Sequence, residues 1–193
     1  MKIAYLAPEI PALSATFVYK EILKLKSFGV EVLPFSVHRP FTEASEPELR
    51  DLKKEVVHLY ERSKKTVLMA HVFLLVTSPL RYLKSMGCLL SDMLLVGLLS
   101  RNSLGLVFRF FYAGHLAKTL IKQKCEHLHV HFAHVPTDIA MYASLLSGVT
   151  FSVTAHANDL FERGYLLKEK VARSAFFATI SEFNKRYLVE KGI

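Results

Sequence analysis

The chain has 193 residues, of which 51% are hydrophobic, and it carries a formal net charge of +8. This length allows one domain with a sizeable core. Cys88 and Cys125 lie far apart without a C-x-x-C pattern, which excludes a disulfide scaffold and indicates reduced thiols. The N-terminal apolar run is interrupted by Pro8 and Glu9 and is too short for a signal peptide.

The first 37 residues predict a β-α-β unit. The apolar run KIAYLA (2–7) is typical of a buried strand, and a loop with two prolines follows it. Apolar residues at 17, 18, 22, 25 and 28, followed by Gly29, predict an amphipathic helix with its stop signal. VEVLPFSV (30–37) then predicts a second strand, parallel to the first.

The middle of the chain is predicted to be mainly helical. Residues 40–55 are polar and indicate a loop leading to a helix, and residues 56–60 indicate a short strand. From 64 to 124 the pattern is helical, with breaks expected at Ser78-Pro79 and around 101–105. No segment has the roughly 20 apolar residues of a membrane-spanning helix.

An alternation of strands and helices follows. Strands are predicted at 127–132, 150–155 and 176–181, and helices at 136–148, 166–174 and 182–192. We therefore predict an α/β domain over residues 1–193, with a doubly wound, Rossmann-like parallel sheet and a helical insertion at about 61–124.

In such sheets ligands bind beyond the carboxyl ends of the strands. Four predicted turns meet this condition, at 8–16, 132–138, 156–161 and 181–184. The candidate site residues in or next to these turns are Glu9, Ser14, Thr16, His131, Phe132, His134, His156, Asn158, Asp159, Ser181, Glu182 and Asn184.

The stretch HLHVHFAHV (127–135) raises the alternative of a metal-dependent hydrolase. On a strand, His127, His129 and His131 face the same way, and an H-x-H pair is a credible metal-ligand spacing. However, parallel strands are covered by helices on both faces, which favours hydrogen-bonded interior roles for His127 and His129. We expect His131 to face the cleft and no metal to be bound.

His156 follows a buried strand directly and is the strongest catalytic candidate. A neutral imidazole there could donate a hydrogen bond to a substrate oxygen, while Asp159 either fixes its tautomer or caps the next helix. Ser181 is similarly either a ligand contact or a plain N-cap. The chain lacks the G-x-G-x-x-G fingerprint, the P-loop motif and the G-x-S-x-G elbow.

Four segments together resemble the N-terminal domain of retaining GT-B glycosyltransferases, nearest to bacterial exopolysaccharide and colanic-acid enzymes. They are IAYLAPEIPALSATFVYKEI, HLHVHFAH, FSVTAHANDLF and ATISEFNKRYL. One departure is Ala15, where relatives often have glutamate.

The resemblance implies a metal-free, cofactor-free hexosyltransferase with two domains facing across a cleft. His156 would reach the donor sugar or its diphosphate, and the other candidates would bind substrate, with His131, Phe132 and the loop from Glu9 to Thr16 on the acceptor side. The nucleotide-sugar donor would be held mainly by a C-terminal domain. We expect that domain to be absent from this chain, so that the chain alone is inactive. A non-catalytic acceptor-binding subunit is the remaining alternative.

The whole net charge lies in residues 61–124, which hold ten Lys and Arg residues and only Glu61 and Asp92 as acids. Because these charges alternate with aliphatic residues, they fit a surface that docks on an anionic membrane and presents a lipid-linked or saccharide acceptor. Solvated core-packing helices are the other interpretation, and no nucleic-acid motif accompanies the charges. We expect a cytoplasmic protein, peripheral on the inner face of the membrane.

Overall fold

A computed structural model describes residues 1–40, 47–162 and 164–193. Its strands form one parallel sheet in the order β3-β2-β1-β4-β5-β6, which confirms the predicted doubly wound, Rossmann-like fold. The strands are β1 (Lys2–Ala7), β2 (Glu31–Ser36), β3 (Val57–His58), β4 (His127–His131), β5 (Thr150–Ala155) and β6 (Phe177–Thr179).

Helices connect the strands on both sides of the sheet. In the described residues they are α1 (Thr16–Ser27), α2 (Pro47–Glu55), α3 (Lys64–Thr77), α4 (Pro79–Leu95), α5 (Arg101–Gln123), α6 (Val135–Ser147), α7 (Ala157–Phe161), α8 (Leu167–Arg173) and α9 (Glu182–Glu190). Part of the predicted loop at 40–55 lies outside the described residues.

Side chains of β1 alternate between two apolar clusters on opposite faces of the sheet. Ala4 and Leu6 belong to the larger cluster, together with residues of α5 and α6. Ile3 and Tyr5 belong to the smaller cluster, which α1 and α2 cover. This alternation follows from the period of two in a strand, and it explains why β1 reads as a continuous apolar run.

The helical insertion was predicted correctly in extent but not in its second break. The first break lies at Ser78, as expected. The second lies at residues 96–100 and not around 101–105, because Gly97 takes a positive φ of 89° and Ser100 caps α5. The Ser100 hydroxyl accepts a hydrogen bond from the Ser103 amide at 3.1 Å.

Among the described residues no single helix has the length and hydropathy to cross a membrane. α3 and α4 reach that threshold only when taken together, and the chain bends by 119° between them.

Candidate functional site

Because all six strands are parallel, the turns that follow them lie at one edge of the sheet, which we call the rim. β1, β4 and β5 are neighbours in the sheet. Their three following segments meet around one side chain, that of His156, which is the first residue after β5. The cluster around His156 therefore joins two of the four predicted turns, 132–138 and 156–161, with Phe17, which directly follows the first turn.

His156 packs against two aromatic rings from different segments of the chain. Its imidazole centroid lies 4.5 Å from the ring of Phe132, which follows β4, and 4.8 Å from the ring of Phe17 in the first turn of α1. The ring of His131 lies 6.0 Å away. His156 is half-buried and Phe17 is 40% exposed, so this cluster lies at the protein surface.

The imidazole of His156 is held neutral. Burial and the neighbouring His131 lower the pKa of His156 from 6.5 to about 4. Its Nε2 atom is buried and has no hydrogen-bond partner among the described residues. A buried polar atom without a partner is costly, so this nitrogen is suited to bind an incoming polar group.

Asp159 fixes the backbone on which His156 sits. Its carboxylate accepts hydrogen bonds from the amides of His156, at 2.9 Å, and Ala133, at 2.8 Å. The side chain is fully buried, and burial raises the pKa of its carboxyl. Asp159 therefore caps α7 and ties the turns after β4 and β5 together, which is the structural role that the sequence left open.

A buried lysine holds the same turn from the other side. The Lys170 ammonium donates to the carbonyl of Ala133 at 2.8 Å and lies 3.0 Å from the Asp138 carboxylate. Phe132, just before Ala133, adopts a positive φ of 75°. The aromatic wall next to His156 thus rests on a backbone that is anchored at both the N–H and the C=O of Ala133.

The histidines of β4 form a hydrogen-bonded column with the hydroxyls of β5. His127 bonds Thr150 at 2.8 Å and Ser152 at 2.7 Å. His129 bonds Ser152 at 2.8 Å and Thr154 at 3.2 Å. Both ring nitrogens of His127 and His129 are thus engaged, which is the interior role favoured for them from the sequence.

His131 continues this column under α1. It is 2% exposed, and its Nε2 lies 3.1 Å from a carboxylate oxygen of Glu21, whose other oxygen accepts from the Tyr5 hydroxyl at 2.7 Å. The hydrogen bond from His131 lowers the pKa of Glu21 to about 2. His131 thus supports the cluster from beneath the rim, and an open position facing the cleft is not what the structure gives it.

Among the residues that the structure describes, Glu21, His129 and His131 form a group that could hold a metal ion. One potential ligand atom from each lies within 4.8 Å of the other two. A metal there would have to replace the bonds from His129 to Ser152 and Thr154 and from His131 to Glu21. The His131 Nδ1 atom is buried and has no hydrogen-bond partner in the described part of the chain.

Burial lowers the pKa of His129 from 6.5 to about 4, so folding should weaken in acid. The unfolded chain binds the extra proton first as the pH falls. The stabilisation is therefore complete above pH 6.5 and is lost as the pH falls towards 4.

Replacing His129 with Gln should shrink the difference in unfolding free energy between pH 7 and pH 4 by about 3 kcal/mol. Denaturant titrations at both pH values measure this difference. His38→Gln, at an exposed position, controls for the substitution, and an unchanged pH dependence in His129→Gln would contradict the assignment.

The remaining candidates from the first turn lie farther along the rim. Glu9 lines a cavity of about 540 Å³ with His38, Arg39 and Tyr60, which follow β2 and β3. Ser14 is exposed in the short 3-10 turn before α1, and Thr16 is the first residue of α1. The structure therefore separates Glu9 from the His156 cluster. Thr16 immediately precedes Phe17 of that cluster, and Ser14 lies three residues before Phe17.

The candidates after β5 and β6 are engaged locally. The Asn158 amide donates to the Glu162 carboxylate one helical turn away. The Ser181 hydroxyl caps α9 by accepting from the Asn184 amide at 3.2 Å. Glu182 is exposed and, with Ser181, borders a cavity of about 580 Å³ beside α9. The rings of Phe183 and Tyr187 in α9 lie 5.9 and 4.7 Å from the ring of Phe161, so this end of the rim contacts α7, the helix that follows His156.

Three residues of the site were not singled out from the sequence. Phe17 was assigned only to the apolar face of α1, and Glu21, one turn later, signalled nothing by itself. Lys170 lies in a pattern typical of an exposed helix, yet it is fully buried. The available signal was the position of Phe17 and Glu21 on a helix that starts at the rim.

Comparison of the chain with protein-family models and with curated proteins gives no match.

Proposed function

We propose that this domain forms the acceptor-side wall of a GT-B glycosyltransferase, with His156 facing the transferred sugar. The observation that carries the proposal is a neutral imidazole held between Phe17 and Phe132 at the rim of a doubly wound sheet, with an Nε2 that no described residue hydrogen-bonds. Such rims are where α/β sheets bind ligands, and aromatic rings beside a hydrogen-bonding group suit a sugar.

For sugar transfer, this domain has only to position the substrates and to donate hydrogen bonds to them. In glycosyl transfer, the bond from the anomeric carbon to the diphosphate oxygen breaks while a bond to the acceptor oxygen forms, and the acceptor hydroxyl gives up its proton to the leaving diphosphate. Negative charge grows on the leaving diphosphate. A neutral imidazole N–H can donate a hydrogen bond to the leaving diphosphate or to an oxygen of the sugar. No proton transfer has to come first, because burial keeps the pKa of His156 near 4.

The acceptor is proposed to lie along the rim towards β2 and β3. There the cavity bordered by Glu9, His38 and Arg39 offers a carboxylate, an imidazole and a guanidinium for saccharide hydroxyls. Arg39 is paired with Glu61 at 2.8 Å. A ligand reaches Nε2 of His156 by displacing Phe17, whose ring is the partly exposed one. Closure of a second domain would exclude water from both places.

A metal-dependent hydrolase is the second candidate, because Glu21, His129 and His131 place a carboxylate and two imidazoles close together. In that case the catalytic centre would lie beneath α1. The imidazole of His156, whose ring centroid lies 6.0 Å from that of His131, would then take no part in catalysis.

Imidazole ¹⁵N NMR on the purified chain distinguishes the two candidates. Titration with a nucleotide-sugar, which carries the transferred sugar, should shift the His156 resonances and leave those of His127 unchanged. Titration with Zn²⁺ is the second arm. Zinc binding at equimolar concentration with shifts at His129 and His131, and no saccharide effect at His156, would favour the hydrolase and reject the proposal.

A further inference from the structure

The helical insertion exposes apolar side chains on the outer faces of two of its helices, α3 and α5. Leu68, Val72 and Leu75 recur at the spacing of one helix face in α3, and each is about half exposed. Leu104, Phe108 and Phe111 do the same in α5. These six residues are called the docking surface below. Exposed apolar groups that are contiguous, unlike scattered ones, mark interaction sites.

The two faces belong to one surface. α3 packs against α5, and Leu68, Phe108 and Phe111 line the same groove, of about 330 Å³. Exposed leucines also occur beyond the bend at Ser78, in α4 and up to Leu99, which is 91% exposed. Exposed apolar side chains thus occur on all three helices of the insertion.

Basic side chains stand at the start of each face. Lys64 and Lys65 precede Leu68 by about one turn of α3, and Arg101 precedes Leu104 by three residues in α5. Lys64 itself lines the groove. These three cations are exposed, and no carboxylate among the described residues pairs with them.

Carboxylates do not balance this charge within the insertion. Of its two acids, Asp92 is buried against Arg173 and Glu61 pairs with Arg39. The surface therefore combines exposed apolar groups with unpaired positive charge, as interfacial helices do. A protein partner or a second copy of this chain would need a matching acidic and apolar face. The chain itself has no such excess of acids, with a net charge of +8.

We propose that the docking surface binds an anionic lipid bilayer, with Lys64, Lys65 and Arg101 at the phosphate headgroups and the six apolar side chains in the acyl boundary. The surface also leads to the rim. The ring centroids of Phe108 and Tyr60 are 5.0 Å apart, and Tyr60 lines the cavity that Glu9 also lines. A lipid-borne acceptor would enter the proposed acceptor cavity along this row of rings, a consequence that rests on the proposed function.

Sedimentation with lipid vesicles tests the docking without any sugar chemistry. The chain should co-sediment with vesicles of phosphatidylcholine and phosphatidylglycerol far more than with phosphatidylcholine alone, and high salt should release it. The triple variant Lys64→Gln, Lys65→Gln, Arg101→Gln should lower the partition coefficient about a hundredfold. The triple variant Leu68→Ser, Phe108→Ser, Phe111→Ser should lower it by at least about as much.

Matched triple variants elsewhere on the surface control for charge and hydropathy. Lys20→Gln, Lys168→Gln, Arg186→Gln removes the same charge, and Phe28→Ser, Phe183→Ser, Val189→Ser removes exposed apolar groups. Both should sediment like the wild type. Equal losses in the controls, no binding to anionic vesicles, or a lipid-independent dimer that the docking-surface variants dissociate would each overturn the proposal. None of these outcomes bears on the role of His156.

Discussion

Replacing His156 with alanine should lower kcat for sugar transfer about 100- to 1,000-fold in the two-domain enzyme that the proposed function calls for. This is the range seen when one preorganised hydrogen-bond donor is removed from a transition state. KM for the acceptor should change little, because the acceptor is proposed to bind near Glu9 and not at His156. Steady-state kinetics measure both constants.

Two further variants separate the hydrogen bond from packing. His156→Gln keeps an N–H donor and should recover part of the lost rate. His127→Gln, at the other end of the histidine column, should retain nearly wild-type kcat. The melting temperature of His156→Ala should fall by only a few degrees, because the half-buried ring loses its packing against Phe17 and Phe132 while its Nε2 has no partner among the described residues to lose. A wild-type rate in a folded His156→Ala protein would reject the catalytic role.

Replacing Asp92 with alanine should destabilise the domain by about 3–5 kcal/mol, the usual effect of breaking a buried ion pair. Asp92 lies in α4 and is fully buried. Its two oxygens accept from the Arg173 guanidinium at 2.7 Å each, and one also accepts from the Tyr142 hydroxyl at 2.8 Å. The substitution would leave a partly buried guanidinium and a buried hydroxyl without their partner. The midpoint of thermal unfolding should fall by roughly 10 °C.

Glu61→Ala is the matched control, since Glu61 is the other acid of the insertion and its pair with Arg39 is exposed. This variant should cost less than about 1 kcal/mol. Joint replacement of Asp92 and Arg173 by leucine should be less destabilising than the two single changes added together. If Asp92→Ala unfolds no more easily than Glu61→Ala, then α4 is not held to α6 and α8 as the structure indicates.

The parallel sheet was predictable because its strands are short apolar runs punctuated by turn signals. The rule that ligands bind at the carboxyl ends of parallel strands also located the rim, with His156 and Phe132 on it. These inferences need only local periodicity and the handedness of βαβ connections, both of which one sequence contains.

The partners of the candidate residues were not predictable in the same way. Whether Asp159 binds substrate or caps a helix depends on the distance to the Ala133 amide, 26 residues away. The burial of Lys170 depends on Asp138 and on a carbonyl in a third segment. Such contacts depend on packing between elements, which composition and spacing do not encode. The second break of the insertion was misplaced for a different, local reason, because the positive φ at Gly97 stops α4 before the expected residues.

The most direct measurement is a crystal structure of the domain soaked with a nucleotide-sugar, because the central claim concerns which sugar His156 faces. The account predicts density for a sugar ring beside Phe132, with an oxygen within hydrogen-bond distance of His156 Nε2 and with Phe17 displaced. Sugar bound elsewhere with His156 still covered, or a metal ion held between Glu21, His129 and His131, would contradict it.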